Sequence, residues 1–357
     1  MKNNIIGIQQ IGIGIPDAYK AWAFYRKAFG MDVPIFEESA EANLMLPYTG
    51  GQPQSRTAVL AMNLQGGSGM EIWQYTSRKT EPANFEIQLG DLGIYITKIK
   101  SPDVAKAYET IKAKGITTLG ELNIGPDGEK HFFVKDEWNN IFQVVKSNSW
   151  FTSGKHTTGG INGCVLGVKD VNKSFHFYKT LFGYDKVVYD VTESFSDLNA
   201  LAGGKSRCRR MLLRKTKENS GPFSKLLGAS EIELIQVLDR EPKKIFEGRF
   251  WGDMGFIHLC FDVRNMNQIK AECEKTGHPF TVDSASKFEN GKFDMGEAAG
   301  HFSYIEDPDG TLIEFVETHK IPILKKLGWY LDVTKRHPEK TLPDWMLKTL
   351  ALNRKKD

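Results

Sequence analysis

The sequence has few cysteines and no long apolar run. Its four cysteines, Cys164, Cys208, Cys260 and Cys273, form neither a CxxC pair nor a zinc-finger spacing. We therefore expect reduced thiols, as is ordinary in the cytoplasm. The N-terminus lacks an extended apolar stretch, so we expect neither a signal peptide nor a membrane-spanning segment.

An excess of charge of one sign is also missing. The formal net charge is only +3 over 357 residues, which gives no reason to expect nucleic acid or a membrane surface as a partner. The stretches GIGIPD and GGKS lack the spacing of a phosphate-binding loop. These absences favour a cytoplasmic protein whose partner is a small molecule, and they leave a homodimer open.

What the chain does contain is an internal repeat. Residues 11–33 and 164–186 each read as a strand, a turn at an aspartate, an amphipathic helix and a glycine stop. The offset is 153 residues throughout. The matched pairs are Asp17 with Asp170, Phe24-Tyr25 with Phe177-Tyr178, and Phe29-Gly30 with Phe182-Gly183.

A second repeat pairs residues 133–145 with 304–316 and places Asp136 on Asp307. The chain then divides into four units, at about 5–80, 88–148, 158–242 and 254–318, each of the form βαβββ. One such unit has a bare sheet face and needs a partner. We predict an α+β fold in which consecutive units pair into two open-barrel domains, 1–148 and 158–318. A helical tail, 319–357, would follow.

These motifs resemble the vicinal oxygen chelate superfamily, which includes glyoxalase I, extradiol dioxygenases and bleomycin-resistance proteins. The resemblance rests on the two "FY…FG" helices and on DPDGTLIEFVE at 307–317. It implies one divalent metal in the cup of an active pair, with ligands from the first and last strand of each unit. For the second half, these positions are Gly163, Glu233, His258 and Glu314.

Elementary chemistry supports a cation at three of those positions. Glu233 and Glu314 share their strands with isoleucine, leucine and phenylalanine, and a lone buried carboxylate is costly without compensating charge. Two carboxylates and the His258 imidazole suit Zn, Mn, Fe, Co or Ni. We therefore predict Glu233, His258 and Glu314 as metal ligands, with Glu233 and Glu314 also available as catalytic bases.

The first half offers a poorer set at the same positions. They hold Gln10, Glu71, Gln143 and an isoleucine, either Ile94 or Ile96. An isoleucine cannot ligate, and two neutral amides make a weak cage. We expect this domain to hold no metal.

Four further residues enter as weaker expectations. Arg207 and Arg209, in the basic strand at 205–215, would bind an anionic group of the substrate. His301 would approach the metal or donate a proton. Tyr304, further along the same strand, would contact substrate from the same face. The segment 287–300 reads either as a lid or as a plain surface loop.

A ligand set of two glutamates and one histidine resembles that of the lyase and isomerase branch of the superfamily, whose members stabilise an enolate. The resemblance implies two histidines and one glutamate for an extradiol-type dioxygenase, and Gly163 stands where the first of those histidines would be. A non-catalytic binder of the bleomycin-resistance type is the third interpretation.

Overall fold

The computed structural model describes residues 4–286, 293–295, 298–324 and 329–355. Most of the segment predicted as a lid or surface loop, 287–300, lies outside these residues. The strands are β1 (Ile5–Gly14), β2 (Val33–Glu41), β3 (Ser55–Met62), β4 (Gly69–Tyr75), β5 (Gly93–Ser101), β6 (Thr118–Ile124), β7 (Lys130–Lys135), β8 (Ile141–Lys146), β9 (Ile161–Gly167), β10 (Lys186–Glu193), β11 (Cys208–Arg214), β12 (Glu231–Val237), β13 (Gly255–Val263), β14 (Val282–Asp283), β15 (Phe293–Met295), β16 (Ala298–Glu306), β17 (Leu312–Leu324) and β18 (Trp329–Asp332). The helices are α1 (Ala18–Phe29), α2 (Val104–Ala113), α3 (Val171–Phe177), α4 (Ser224–Leu227), α5 (Met266–Lys275) and α6 (Asp344–Lys348).

The strands form two curled sheets, which confirms the α+β fold of four βαβββ units. In the first sheet the order is β14-β16-β17-β13-β1-β4-β3-β2, with β15 and β18 added beside β16 and β17. In the second sheet the order is β10-β11-β12-β9-β5-β8-β7-β6. The first sheet therefore joins units one and four, and the second joins units two and three.

This pairing corrects the expectation that consecutive units form the domains. Paired units meet through their first strands: β1 pairs antiparallel with β13, and β5 pairs antiparallel with β9. We call these two strand pairs the joints. Units two and three are neighbours in the chain through the linker at 147–160, and their union leaves units one and four to each other. Each joint covers an edge strand whose backbone groups would otherwise be unpaired.

The repeat motifs fix the helices as predicted. Asp17 caps α1 by accepting hydrogen bonds from the amides of Tyr19 and Lys20, and Asp170 does the same at α3. Gly30 ends its helix in the left-handed region with φ 67°. The helices pack in one apolar core that includes residues of both sheets.

The tyrosine of each "FY" pair ties the two units of one half together. Tyr25 donates to Asp136 at 2.7 Å, and Tyr178 donates to Asp307 at 3.0 Å. These hydrogen bonds are buried and link unit one to two and unit three to four. The hydrogen bonds of the helices therefore join units of the same half, whereas each sheet joins one unit of the first half to one unit of the second.

In the part of the tail that the structure describes, helix is found only near the end. Strand β17 runs on to Leu324 and pairs with β18, so a hairpin extension precedes α6 and a 3-10 turn at Thr349–Asn353. Leu342 and Leu347 bury against Val33 and Met62 of the first sheet. All four cysteines are buried free thiols. Among the described residues, no helix combines the length and apolarity needed to cross a bilayer.

Candidate metal centre

Three strands of the first sheet bring two glutamates and a histidine together. Glu71 lies on β4, His258 on β13 and Glu314 on β17, and their ligand atoms all lie within 4.8 Å of one another. His258 Nε2 is 3.2 Å from Glu71 Oε2 and 3.3 Å from Glu314 Oε2. We call the sheet face that carries these residues the first cup.

Strand register explains why these side chains meet. Gly12 on β1 lies opposite His258 and beside Glu71. A Cβ atom on Gly12 would lie 2.4 Å from His258 Cε1, far inside contact distance. The glycine therefore leaves the space that the imidazole occupies at the centre of the group.

Gln10 is the fourth member of the group. Its Nε2 lies 3.2 Å from Glu71 Oε2 and 3.4 Å from Glu314 Oε2. Its Oε1 is buried and has no hydrogen-bond partner in the described part of the chain. Half a turn of the amide exchanges these two atoms, so the same side chain can present an oxygen to a cation.

Burial dominates the electrostatics of the group. Burial raises the pKa of Glu314, and the neighbouring Glu71 adds to the rise while His258 opposes it. Burial alone would lower the pKa of His258, but Glu314 and Glu71 outweigh it and raise that pKa. Two buried carboxylates facing one imidazole form a site whose charge balance favours a cation.

The donor set fits a divalent metal. Neither ring nitrogen of His258 makes a hydrogen bond of acceptable geometry with any described residue, although the ring is fully buried. An imidazole nitrogen, two carboxylates and an amide oxygen are ligands that Zn, Mn, Fe, Co and Ni accept. A divalent ion would offset both carboxylates and give the unpartnered nitrogen a partner.

Comparison with known proteins fits this geometry. A family model for the Glyoxalase/Bleomycin resistance protein/Dioxygenase superfamily matches residues 7–144 and again residues 160–315. The chain belongs to this superfamily. Its members act on small molecules and bind a divalent metal, and the Glu71, His258 and Glu314 group could hold one here.

Individual relatives share only a small fraction of their residues with this chain. The chain is 28% identical over 169 residues to a Lactoylglutathione lyase of Schizosaccharomyces pombe, and the match spans 45% of this chain and 48% of that protein. The chain thus covers about half the length of that relative. A glyoxalase I from Zea mays superposes with a TM-score of 0.53 at 14% identity, over 97% of this chain and 96% of the other. A putative dioxygenase from Bacillus subtilis gives 0.56 at 12% identity, over 88% and 86%. At these identities the two structures share the superfamily fold with this chain.

The expectation that Glu233 joins His258 and Glu314 is wrong. Glu233 lies on β12 in the second sheet, whereas the other two lie in the first. The repeat assignment of the position was sound, because Glu233 sits beside Val165 on β9 as Glu71 sits beside Gly12 on β1. The error came from the pairing of units, which placed Glu233 in the wrong cup.

Glu233 is neutralised by side chains of its own cup, which we call the second cup. Lys98 Nζ lies 2.6 Å from Glu233 Oε2 and 2.9 Å from Glu231 Oε1. Arg210 also pairs with Glu233, and Tyr189 donates to it at 2.9 Å. Burial alone would raise the pKa of Glu233, but Arg210 and Lys98 hold it well below its usual range. Lys98 and Arg210 therefore supply in the second cup the positive charge that a metal ion would supply in the first.

The second cup lacks the other ligands as well. Gly163, Ile96 and Gln143 hold the positions that Gln10, His258 and Glu314 hold in the first cup. The absence of metal predicted for the first half thus needs correction: Gln10 and Glu71 of that half belong to the first cup. Of the two isoleucines considered for this position, Ile96 is the one that pairs with Val165, and a register shift lies between it and Ile94.

Arg207 and Arg209 do not face either cup. Arg207 is exposed, and Arg209 makes a two-pronged ion pair with Asp190, 2.7 Å at each contact, on the outer surface. Strand alternation turns Arg210 inward instead, where it reaches Glu233 and lies 2.7 Å from Asp197 Oδ2. The expectation that Arg207 and Arg209 bind an anionic group of the substrate is therefore not supported, because neither side chain lines a cup.

His301 and Tyr304 lie on opposite faces of β16, because they are three positions apart in the strand. His301 pairs with Asp283 at 2.6 Å and is not among the residues that meet at the metal group. Tyr304 lies opposite Glu314 in the register, with its ring 5.6 Å from that of His258. The expectation of a shared face is wrong, and only Tyr304 borders the first cup.

Aromatic residues wall the rest of the first cup. The Trp251 ring lies 6.0 Å from the His258 ring and nearly parallel to it, and Trp73 packs on Trp251 at 4.1 Å. Partly buried apolar side chains surround this cluster: Phe36, Ala42, Leu44, Tyr48, Phe246 and Phe302. A substrate that reaches the metal group would therefore meet an apolar wall beside it.

Sequence reasoning considered Gln10 and Glu71 but assigned them to the wrong pair, and it missed Lys98. One chemical signal pointed to the correct pairing. Grouping unit one with unit four puts four residues that can ligate, Gln10, Glu71, His258 and Glu314, in one cup, and it leaves Glu233 with a glycine, an isoleucine and an uncharged amide. The alternative grouping gives each cup a residue that cannot ligate.

Proposed function

We propose that this protein is a metal-dependent enzyme of the lyase or isomerase type. Its substrate would be a small molecule with two adjacent oxygens and an acidic C–H bond between or beside them. The observation that carries the proposal is the convergence of Gln10, Glu71, His258 and Glu314 in one buried, aromatic-walled cup. A divalent ion bound there would stabilise negative charge on the substrate oxygens.

The chain's own residues supply the proton transfer. The carboxylate of Glu314 lies in the metal group and acts as the general base. The carboxylate takes a proton from the substrate carbon, and the same carboxyl group returns it to the neighbouring carbon. Electrons shift within the substrate only, so the reaction needs neither oxidant nor reductant.

The aromatic wall has a separate role. Trp73 and Trp251 exclude water from the reacting atoms and pack against the apolar part of the substrate. Exclusion of water strengthens the interaction between developing charge and the site. Tyr304, opposite Glu314, would orient that carboxyl group or contact the substrate.

The test is turnover with and without metal. The apoprotein is loaded with Zn, Mn, Fe, Co or Ni in turn and offered 2-hydroxycarbonyl compounds and thiol adducts of 2-oxoaldehydes. The adducts are included because one relative is a Lactoylglutathione lyase. NMR in D₂O reports product formation for any member of the panel, and deuterium at the product carbon measures how far the carboxyl proton exchanges with solvent before it is returned.

We expect Glu314→Gln to lower turnover by about 100-fold or more, the usual contribution of a general base. The matched control is Gln143→Leu, which alters the equivalent position of the second cup and leaves turnover unchanged. Metal-dependent oxygen consumption with a catechol, without proton exchange, would favour the ring-cleaving dioxygenase instead. Tight ligand binding without any turnover would favour the non-catalytic binder.

A further inference from the structure

A basic cavity lies outside both cups, where the ends of two helices meet the linker between the halves. Its volume is about 380 Å³. Arg26 and Lys27 come from the last turn of α1, Lys114 follows α2, and Lys155 and His156 come from the linker. Three threonines complete the lining, and among the described residues no carboxylate lines it.

The linker part of this cavity is held rigidly. The backbone of His156 exchanges hydrogen bonds with the Gln65 side chain at 2.9 and 3.0 Å. The next two carbonyls accept hydrogen bonds from Ser101 at 2.8 Å and from Asn63 at 3.0 Å. Lys155 therefore projects from a backbone whose position is fixed before any ligand arrives, which lowers the entropy cost of binding.

The positive charges repel one another. Burial lowers the pKa of Lys114, and the nearby Lys27 and Lys155 lower it further. The carboxylate that pairs with His156, that of Asp32 at 3.3 Å, is shared with Arg354 at 2.6 Å. An anion in the cavity would relieve a repulsion that the described side chains leave in place.

Cations at a helix C-terminus ordinarily serve the helix dipole, and Lys114 does donate to the Lys27 carbonyl at 2.7 Å. The duplicated half has cations at its helix ends too, Lys179 and Lys275, but not at the positions of Lys27 and Lys114. Thr180 and Thr276 stand there, and Glu272 stands at the position of Thr110. The placement of Lys27 and Lys114 is thus particular to the first half.

We propose that this cavity binds a multiply charged phosphate anion, either inorganic or carried by a small molecule. The ammonium groups of Lys27, Lys114 and Lys155 carry the charge opposite to that of phosphate oxygens and can donate hydrogen bonds to them. The volume lies within the range of small-molecule sites and leaves room beyond one or two phosphoryl groups. The site is separate from the metal group and does not depend on the proposed reaction.

Isothermal titration calorimetry of the full chain with pyrophosphate tests this proposal. We expect saturable one-to-one binding that weakens as salt screens the charges. The double variant Lys27→Gln/Lys155→Gln should weaken binding by about tenfold or more, because each lost ion pair is charge-assisted. The control Lys179→Gln/Lys275→Gln removes the same charge from helix ends of the other half and should bind as the unaltered chain does.

A nucleoside diphosphate is the second titrant. Tighter binding than pyrophosphate shows that the cavity holds an organic group beside the phosphates, and equal binding shows recognition of the phosphates alone. The absence of saturable binding of both titrants at millimolar concentration would overturn the proposal. So would equal weakening in the control variant, which would mean diffuse attraction to a basic surface. Melting temperatures of the two double variants verify that the fold is kept.

Discussion

At the scale of single residues, the sequence predicts which charged side chains are buried better than it predicts which residues lie next to them. Glu314 and His258 were selected because a charged or polar group interrupts an apolar strand, and the structure does bring them together. Glu233 met the same criterion, yet Lys98 and Arg210 neutralise it. Burial of a carboxylate predicts only that a positively charged group lies near it, and the surrounding sequence does not show whether that group is a metal ion or a lysine.

The first prediction concerns Gly12. A methyl group at this position would overlap the His258 ring, because a Cβ atom there lies 2.4 Å from Cε1. We expect Gly12→Ala to displace the imidazole and to weaken metal affinity by about tenfold or more, as misplaced metal ligands do. Competition with a chromogenic chelator measures the affinity. Unaltered affinity would show that His258 is not held where the structure places it.

A second prediction concerns pH. Burial lowers the pKa of Lys100 to about 7, and its side-chain nitrogen donates to the carbonyls of Gly66 and Leu227. The unfolded chain keeps an ordinary lysine, so between pH 7 and about 10.5 it binds more protons than the folded chain. This residue therefore makes the unfolding free energy rise with pH in that window, by at most about 1.4 kcal/mol per pH unit.

Replacement of Lys100 by methionine should remove this contribution. We expect urea unfolding of Lys100→Met, measured at several pH values from 7 to 10, to show a smaller rise in stability with pH than the unaltered chain. The slope is the quantity to compare, because the two carbonyls lose a donor at every pH. An identical slope would mean that Lys100 stays protonated in the folded protein.

At the scale of elements, the repeat made the helices predictable and left the sheets undetermined. Asp17 and Asp170 mark helix starts, Gly30 ends α1, and Gly183 ends the π-helical turn Tyr178–Phe182 that continues α3, because these roles depend on local backbone chemistry. The pairing of β1 with β13 depends instead on which edge strands meet in three dimensions. Four copies of one unit offer several equivalent edges, so local pattern cannot choose among them.

The ion pairs across the strands of the second cup support a third prediction. Glu233 is fully buried between Lys98 and Arg210, so Glu233→Gln leaves two buried cations short of a carboxylate. We expect a loss of about 3–5 kcal/mol in unfolding free energy. Chemical denaturation measures it, and the double variant Lys98→Met/Glu233→Gln should lose less than the sum of the single losses. Additive losses would mean that the two side chains do not interact.

At the scale of the whole molecule, each cup is built from both halves of the chain. Gln10 and Glu71 enter the first cup from the first half, and His258 and Glu314 enter it from the second. The helices and the Tyr25–Asp136 and Tyr178–Asp307 hydrogen bonds hold each half together. Duplication therefore produced one molecule with two unlike cups, of which one keeps ligands and the other replaces the ion with lysine and arginine.

This interleaving gives a fourth prediction. Fragments 1–148 and 158–357, expressed separately, should each expose the unpaired edge strands of both joints and bind no metal at the first cup. Expressed together, they should assemble and bind one metal per pair of fragments. Size-exclusion chromatography with metal analysis tests both statements. Metal binding by either fragment alone would contradict the pairing of unit one with unit four.

The most direct test of the central claim is the metal content of the purified full chain by elemental analysis, after growth with several divalent metals. The account predicts about one ion per chain, nearly complete loss in Glu71→Gln, and full retention in Gln143→Leu, whose position is equivalent to that of Glu314 in the second cup. Metal retained in Glu71→Gln at the level of the unaltered chain, or lost in Gln143→Leu, would contradict a site shared between the first and fourth units.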